Sequence, residues 1–225
     1  MPAGRTSLYF DLRDGFRLPG CSICRYALRA VERFFAALTY ENTNDPQIRA
    51  ELRASRGFCN RHTLEYLSWG DELGAAILYR DLLHTIAPAI EGMSGENGLG
   101  ILNPLTALGN GSKLAESTVR GLAPTHVCLA CQRLEASEDD YIDTLLTHLN
   151  DEQFAAAFAT SDGLCVVHAA MALQRARRAQ QTFLRRTQEQ IWKEALAKLT
   201  EAHRQQDVQL KGVLALAVGG KGVRP

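Results

Sequence analysis

No segment of the chain is apolar for long enough to cross a bilayer. The longest apolar run toward the C-terminus, Val213–Val218, is far short of the about 20 residues a transmembrane helix takes. The opening stretch, MPAGRTSLYFDLRDGF, carries no secretory pattern and no lipidation signal, so the chain is expected to be soluble and cytoplasmic. Net charge is missing too. Lys and Arg number 25 and so do Asp and Glu, which leaves no global field to gather nucleic acid or an anionic membrane. Strand-like alternation of useful length is absent, whereas Ala, Leu, Glu, Arg and Gln are plentiful, so the expected class is all-α. There is no H-E-x-x-H, P-loop, G-x-S-x-G or dinucleotide fingerprint. Paired carboxylates such as Asp139-Asp140 lie in a charged run, which reads as a solvated or salt-bridged helix face rather than acid/base machinery.

Cysteine is what remains to be explained. There are six, and in a reducing compartment spaced cysteines point to metal binding or thiol chemistry more than to disulfides. All six fall on an internal repeat. Cys21 and Cys24 recur as Cys128 and Cys131 at a shift of 107, and Cys59 and His62 recur as Cys165 and His168 at a shift of 106. The match extends around the ligands, since Asn44-Asp45, Gln47, Ala50, Ser55 and Gly57 meet Asn150-Asp151, Gln153, Ala156, Ser161 and Gly163. The shared pattern is N-D-x-Q-φ-x-A-x-φ-x-x-S-x-G-φ-C-x-x-H, with φ apolar.

Each copy predicts the same elements. A helix begins at C-x-x-C and runs over 22–38 in the first copy and 129–149 in the second. A short helix follows, opened by Asp45-Pro46 or by Asp151, because Asp is a good N-cap and Pro is tolerated at the first helical position. A turn at Gly57 or Gly163 ends it. One long helix then starts at C-x-x-H and continues to about residue 90 or 203. The expected organisation is a first metal-binding repeat over 1–91, a connector over 92–122, a second repeat over 123–204 and a loose tail over 205–225. The connector is rich in Gly, Ser, Asn and Thr, with a short helix expected near 113–120. The fold expectation is a duplicated helical unit, two metal-pinned bundles related by internal pseudo-symmetry.

The spacing carries the chemistry. C-x-x-C at a helix start puts two thiols beside free backbone N–H groups, which favour the thiolate. C-x-x-H places Cys and His at i and i+3 on one helix face. If both starts within a copy meet, four soft ligands converge: Cys21, Cys24, Cys59 and His62 in the first, Cys128, Cys131, Cys165 and His168 in the second. Cys3His is an ordinary structural zinc set, so two Zn2+ ions per chain are expected, with an iron–sulfur cluster or copper as alternatives. Four protein ligands leave no open position for substrate, which argues against a catalytic metal. His84, His126, His148 and His203 have no place in the repeat and read as surface or packing residues.

Charge falls in blocks. Leu134–His168 holds eight acids and no Lys or Arg, and Ala169–Gln188 holds five Arg and no acid. On one continuous helix Arg175, Arg178, Arg185 and Arg186 would share a side. They would either pair with the acidic helix or dock an acidic protein partner.

The segments GCSIC…RGFCNRH and VCLAC…DGLCVVH resemble a bacterial family of uncharacterised helical proteins with duplicated C-P-x-C…F-C-x-x-H motifs. This chain departs from that pattern in having Ser22 and Leu129 where the family has Pro, a change that bears on helix entry rather than ligation. The resemblance implies the architecture and the ligands and carries no activity. The functional expectation is a non-catalytic, metal-stabilised helical protein with a binding or regulatory role. The alternatives are a thiol redox switch that releases metal on oxidation, and an iron–sulfur electron carrier or metal enzyme.

Overall fold

The computed structural model describes residues 4–91 and 119–204, and those residues are helical with no strand. The helices are α1 (Ser7–Gly15), α2 (Ser22–Ala37), α3 (Pro46–Ala54), α4 (Asn60–Leu67), α5 (Glu72–Glu91), α6 (Leu129–His148), α7 (Glu152–Ala159), α8 (Val166–Arg175) and α9 (Arg178–Arg204). A wide π-type turn, Leu38–Asn42, closes α2. No helix among the described residues is long and apolar enough to cross a membrane. Most of the expected connector, the run Val213–Val218 and the tail lie outside the described residues.

The expected short helices and their caps are present. Asp45 Oδ1 accepts from the N–H groups of Gln47 (2.8 Å) and Ile48 (2.9 Å) to open α3. Asp151 Oδ1 does the same for Gln153 (3.0 Å) and Phe154 (3.2 Å) at α7. Each cap satisfies donors that the first helical turn leaves free.

The single long helix expected after each C-x-x-H is instead two helices. In the first copy α4 stops at Ser68, Gly70 adopts a φ of +75°, and Asp71 starts α5 by accepting from Gly74 N–H (2.8 Å). In the second copy Ala176 is extended, and α9 begins behind it with Gln180 Oε1 accepting from Arg177 N–H (2.7 Å), the return half of a capping box. Local polar side chains thus offered the backbone partners that ended a pattern otherwise helical throughout. Helix α1 was not anticipated.

The chain forms two compact units: Met1–Ala30 with Leu134–Pro225, and Val31–Arg133. They are not the two sequence copies, because the boundaries fall inside α2 and α6. In the first unit α1 lays Tyr9, Leu12 and Phe16 onto α7. Tyr9 stacks on Phe154 at 5.0 Å, and Phe16 meets Phe154 and Phe158 edge-on at 5.2 and 5.5 Å. Ile23, Ile142, Leu145 and Leu184 complete this core. In the second unit Phe35, Phe58 and Tyr66 pack together with centroids 5.3–5.6 Å apart, as buried aromatic groups prefer. Asp81 on α5 bridges Arg49 and Arg53 on α3 at 3.0 and 2.5 Å.

Two exchanged Cys3His clusters

The eight sequence-predicted ligands gather in two groups of four, but not as each copy's own set. Cys21 and Cys24 meet Cys165 and His168, and Cys59 and His62 meet Cys128 and Cys131. The expectation of one cluster within each copy is therefore corrected: each C-x-x-C is completed by the C-x-x-H of the other copy. Helix length explains the exchange. Helix α2 has 16 residues and is about 24 Å long at 1.5 Å per residue. Phe58, just before Cys59, packs on Phe34 and Phe35 near the far end of that helix (6.1 and 5.3 Å), and the His62 ring lies 6.3 Å from that of Phe35. Cys21 and Cys24 stand at the opposite end of the helix.

Loop contacts hold the exchanged partners together. In the first unit Gly20, at a φ of +84°, donates its N–H to Asp162 Oδ2 at 2.7 Å, tying the residue before Cys21 to the turn before Cys165. In the second unit Thr125 N–H donates to the carbonyl of Ala54 (2.9 Å), and Arg56 donates to the carbonyl of Gly121 (2.5 Å). These contacts tie the approach to Cys128 to the end of α3. Arg56 itself has a φ of +56° within a Schellman-type ending, where Gly57 N–H reaches Leu52 C=O (2.7 Å).

In cluster I, Nδ1 of His168 lies 3.5 Å from Cys21 Sγ and 3.3 Å from both Cys24 Sγ and Cys165 Sγ, and Cys24 Sγ is 3.6 Å from Cys165 Sγ. In cluster II, Nδ1 of His62 lies 3.3, 3.6 and 3.3 Å from the sulfurs of Cys59, Cys128 and Cys131, and Cys59 Sγ is 3.8 Å from Cys131 Sγ. A tetrahedron with zinc–sulfur bonds of about 2.3 Å and zinc–nitrogen bonds of about 2.0 Å has S–S edges of roughly 3.8 Å and S–N edges of roughly 3.5 Å. The three S–N distances and the one S–S distance given for each cluster lie within about 0.3 Å of that frame, all four ligand atoms lie within 4.8 Å of one another, and both histidines present the same nitrogen inward. The donor set, the count and the edges fit a tetrahedral cation.

The electrostatics favour a cation as well. Hydrogen bonding to Cys165 and Cys24, then burial, hold the Cys21 thiol well above its ordinary pKa. The same contacts, taken from the other side, lower that of Cys165, where the N–H of His168 adds to the effect. Burial pulls His168 down, but Cys165, Cys24 and Glu138 outweigh it and push the imidazole up to about 11. In cluster II burial, then the charge of Cys128, push Cys131 up to about 12. Cys59 is lowered despite burial by the N–H of His62 and by Cys131 and Cys128. Each cluster thus pairs a sulfur that holds its proton, Cys21 or Cys131, with one that gives it up readily, Cys165 or Cys59, and a divalent ion would replace the protons that remain.

Two supporting residues were not anticipated. Glu138, on α6, is 3% exposed and places Oε1 3.3 Å from Nε2 of His168. A carboxylate on the outer nitrogen fixes the tautomer in which Nδ1 faces a metal. Glu138 had been hidden in an acidic run that reads as solvated. Its signal was its place in the apolar stripe Leu134–Tyr141–Leu145. The position matching it in the other copy, at the 107 shift, is Val31. The second residue is Gln188 on α9, 4% exposed, whose amide brackets Leu164 by accepting from its N–H (2.9 Å) and donating to its C=O (3.0 Å). Leu164 precedes Cys165, so Gln188 sets the entry of that ligand. Gly163, at a φ of +69°, allows the close approach, because a Cβ there would lie 2.9 Å from the Gln188 amide.

Each makes a prediction. Glu138→Leu weakens metal binding at cluster I by about 10–100-fold, the range typical of lost outer-shell partners, as read by chelator competition. Gln188→Leu strands a buried N–H and C=O and lowers stability by about 2–4 kcal/mol, as read by denaturant unfolding.

His84 and His126 are exposed, and the His148 ring is buried against Tyr9 (4.8 Å) and Phe154 (5.8 Å), away from either cluster. Arg175 is on α8, with Asp139 and Asp143 of α6 at 2.6 and 3.8 Å, whereas Arg178, Arg185 and Arg186 are exposed on α9. The break at Ala176 thus divides the supposed single Arg face between two helices.

All-helical structure with two Cys3His groups able to hold metal defines the class. The chain belongs to a family of unknown function, DUF6062, whose model matches residues 9–208. It is similar to an uncharacterized 23.9 kDa protein from the xynA 3' region of Caldicellulosiruptor sp. (strain Rt8B.4), at 25% identity over 171 residues, covering 72% of this chain and 70% of that one. No solved structure matches the chain.

Proposed function

We propose that the protein is a non-catalytic zinc protein, in which two Zn2+ ions pin an all-helical scaffold that serves a binding or regulatory role. The observation that supports this most is the closure of both clusters. Four side chains on tetrahedral edges occupy every position of the ion, so none is left for substrate or water. When bound, zinc would supply a divalent charge offsetting three thiolates and a cross-link between helix starts. Cys21 and Cys24 then hold the head of α2, and Cys165 and His168 hold the head of α8 against it. In the second unit Cys128 and Cys131 hold the head of α6, and Cys59 and His62 that of α4. The exposed Arg178, Arg185 and Arg186 offer positive charge to an acidic protein partner.

Elemental analysis and an optical spectrum of the purified protein test this reading. The expected result is two equivalents of zinc and no visible absorption. A brown protein containing iron and sulfide would replace it with the electron-carrier reading.

A further inference from the structure

The two clusters differ in their access to solvent. Cluster I is sealed: Cys21, Cys24, Cys165 and His168 are 7, 8, 0 and 1% exposed. In cluster II Cys59 is exposed and Cys131 half-buried, although His62 and Cys128 are buried. The residues just outside the ligands differ in the same direction. Arg61 and Arg133, both exposed, stand two residues beyond Cys59 and Cys131. The positions matching them around cluster I, at the repeat shifts, hold Val167 and Tyr26. A zinc ion bound by three thiolates carries a net negative charge that would repel an anionic donor. Arg61, two residues from the exposed Cys59, would offset that repulsion, whereas the Arg133 guanidinium lies over the Phe34 ring, 5.8 Å from its centroid.

Resting on the reading that both clusters bind zinc, we propose that cluster II is a metal-exchange site, where the ion passes to and from an incoming thiolate or chelating ligand on the Cys59 side, while cluster I keeps its ion. The step is a ligand substitution without redox change. The incoming donor forms a bond to zinc, the bond to Cys59 Sγ breaks, and that sulfur takes a proton from solvent. Departure of the remaining three ligands follows as further donors arrive. At cluster I every ligand residue is buried, so substitution there must wait for local opening of the helices.

The test uses the intact zinc protein and an excess of the chelator 4-(2-pyridylazo)resorcinol. The expected result is release in two phases of one equivalent each, with rates at least about tenfold apart. The fast rate rises with chelator concentration and the slow one does not. Iodoacetamide added after the fast phase should label Cys59 and Cys131, with Cys21, Cys24 and Cys165 protected, and the helical circular dichroism of the first unit should persist. Repeating the release with glutathione in place of the chelator should accelerate the same equivalent. A single phase carrying both equivalents, or first labelling at Cys21, Cys24 or Cys165, overturns the proposal while leaving two zinc sites in place. A protein that contains no zinc at the outset overturns the reading beneath it.

Discussion

Stripping both ions with a strong chelator is expected to lower the unfolding temperature by about 40 °C or more. A structural zinc site contributes on the order of 10 kcal/mol of apparent folding energy, and chains of this size shift by about 2–4 °C per kcal/mol. The reason is local. Each cluster joins elements far apart in sequence, Cys24 to Cys165 in one unit and Cys59 to Cys131 in the other. Without the ion, the sulfurs of each space compete for protons, and the elevated positions of Cys21 and Cys131 show how poorly several negative sulfurs coexist there. Differential scanning calorimetry with and without chelator reads the effect, and returning Zn2+ should restore it. An unfolding temperature unmoved by complete metal removal would mean that the helices hold without the ions.

The second large effect separates the exchanged pairing from pairing within each copy. Cys24→Ser with Cys165→Ser damages cluster I alone, so one equivalent of metal should remain and the second unit should keep its folding transition. Cys24→Ser with Cys59→Ser alters two cysteines of the same sequence copy but damages both clusters, and both equivalents should be lost or bound far more weakly. Pairing within each copy predicts the reverse: the first variant would lose both ions and the second only one. Native mass spectrometry counts the ions in each case.

The ligands were legible in the sequence, and their pairing was not. Eight residues recurring at shifts of 107 and 106 mark the positions that gather into groups able to hold metal, and the Asp45 and Asp151 caps placed the short helices correctly. The repeat is silent on which C-x-x-C meets which C-x-x-H, because both arrangements yield two Cys3His sets. What decides is the length of α2, which carries the chain away from Cys21 before α3 and α4 are formed. The breaks at Gly70 and Ala176 were obscured by helical composition on either side. Glu138 and Gln188 were missed for a shared reason. Each is a polar residue in an apolar stripe, Leu134–Tyr141 for one and Leu184–Ile191 for the other, and each is buried because another element supplies its partner. Polarity in such a stripe is a signal of a buried contact, visible in sequence once the helix face is drawn. Helix α1 rests on Tyr9, Leu12 and Phe16, three large side chains in a short segment whose burial depends on α7.

X-ray absorption at the metal edge of the purified protein tests the convergence of these ligands most directly. The expected shell is three sulfurs at about 2.3 Å and one nitrogen at about 2.0 Å around each of two zinc ions. A shell of oxygen donors, or protein that holds no metal under reducing conditions, would contradict it.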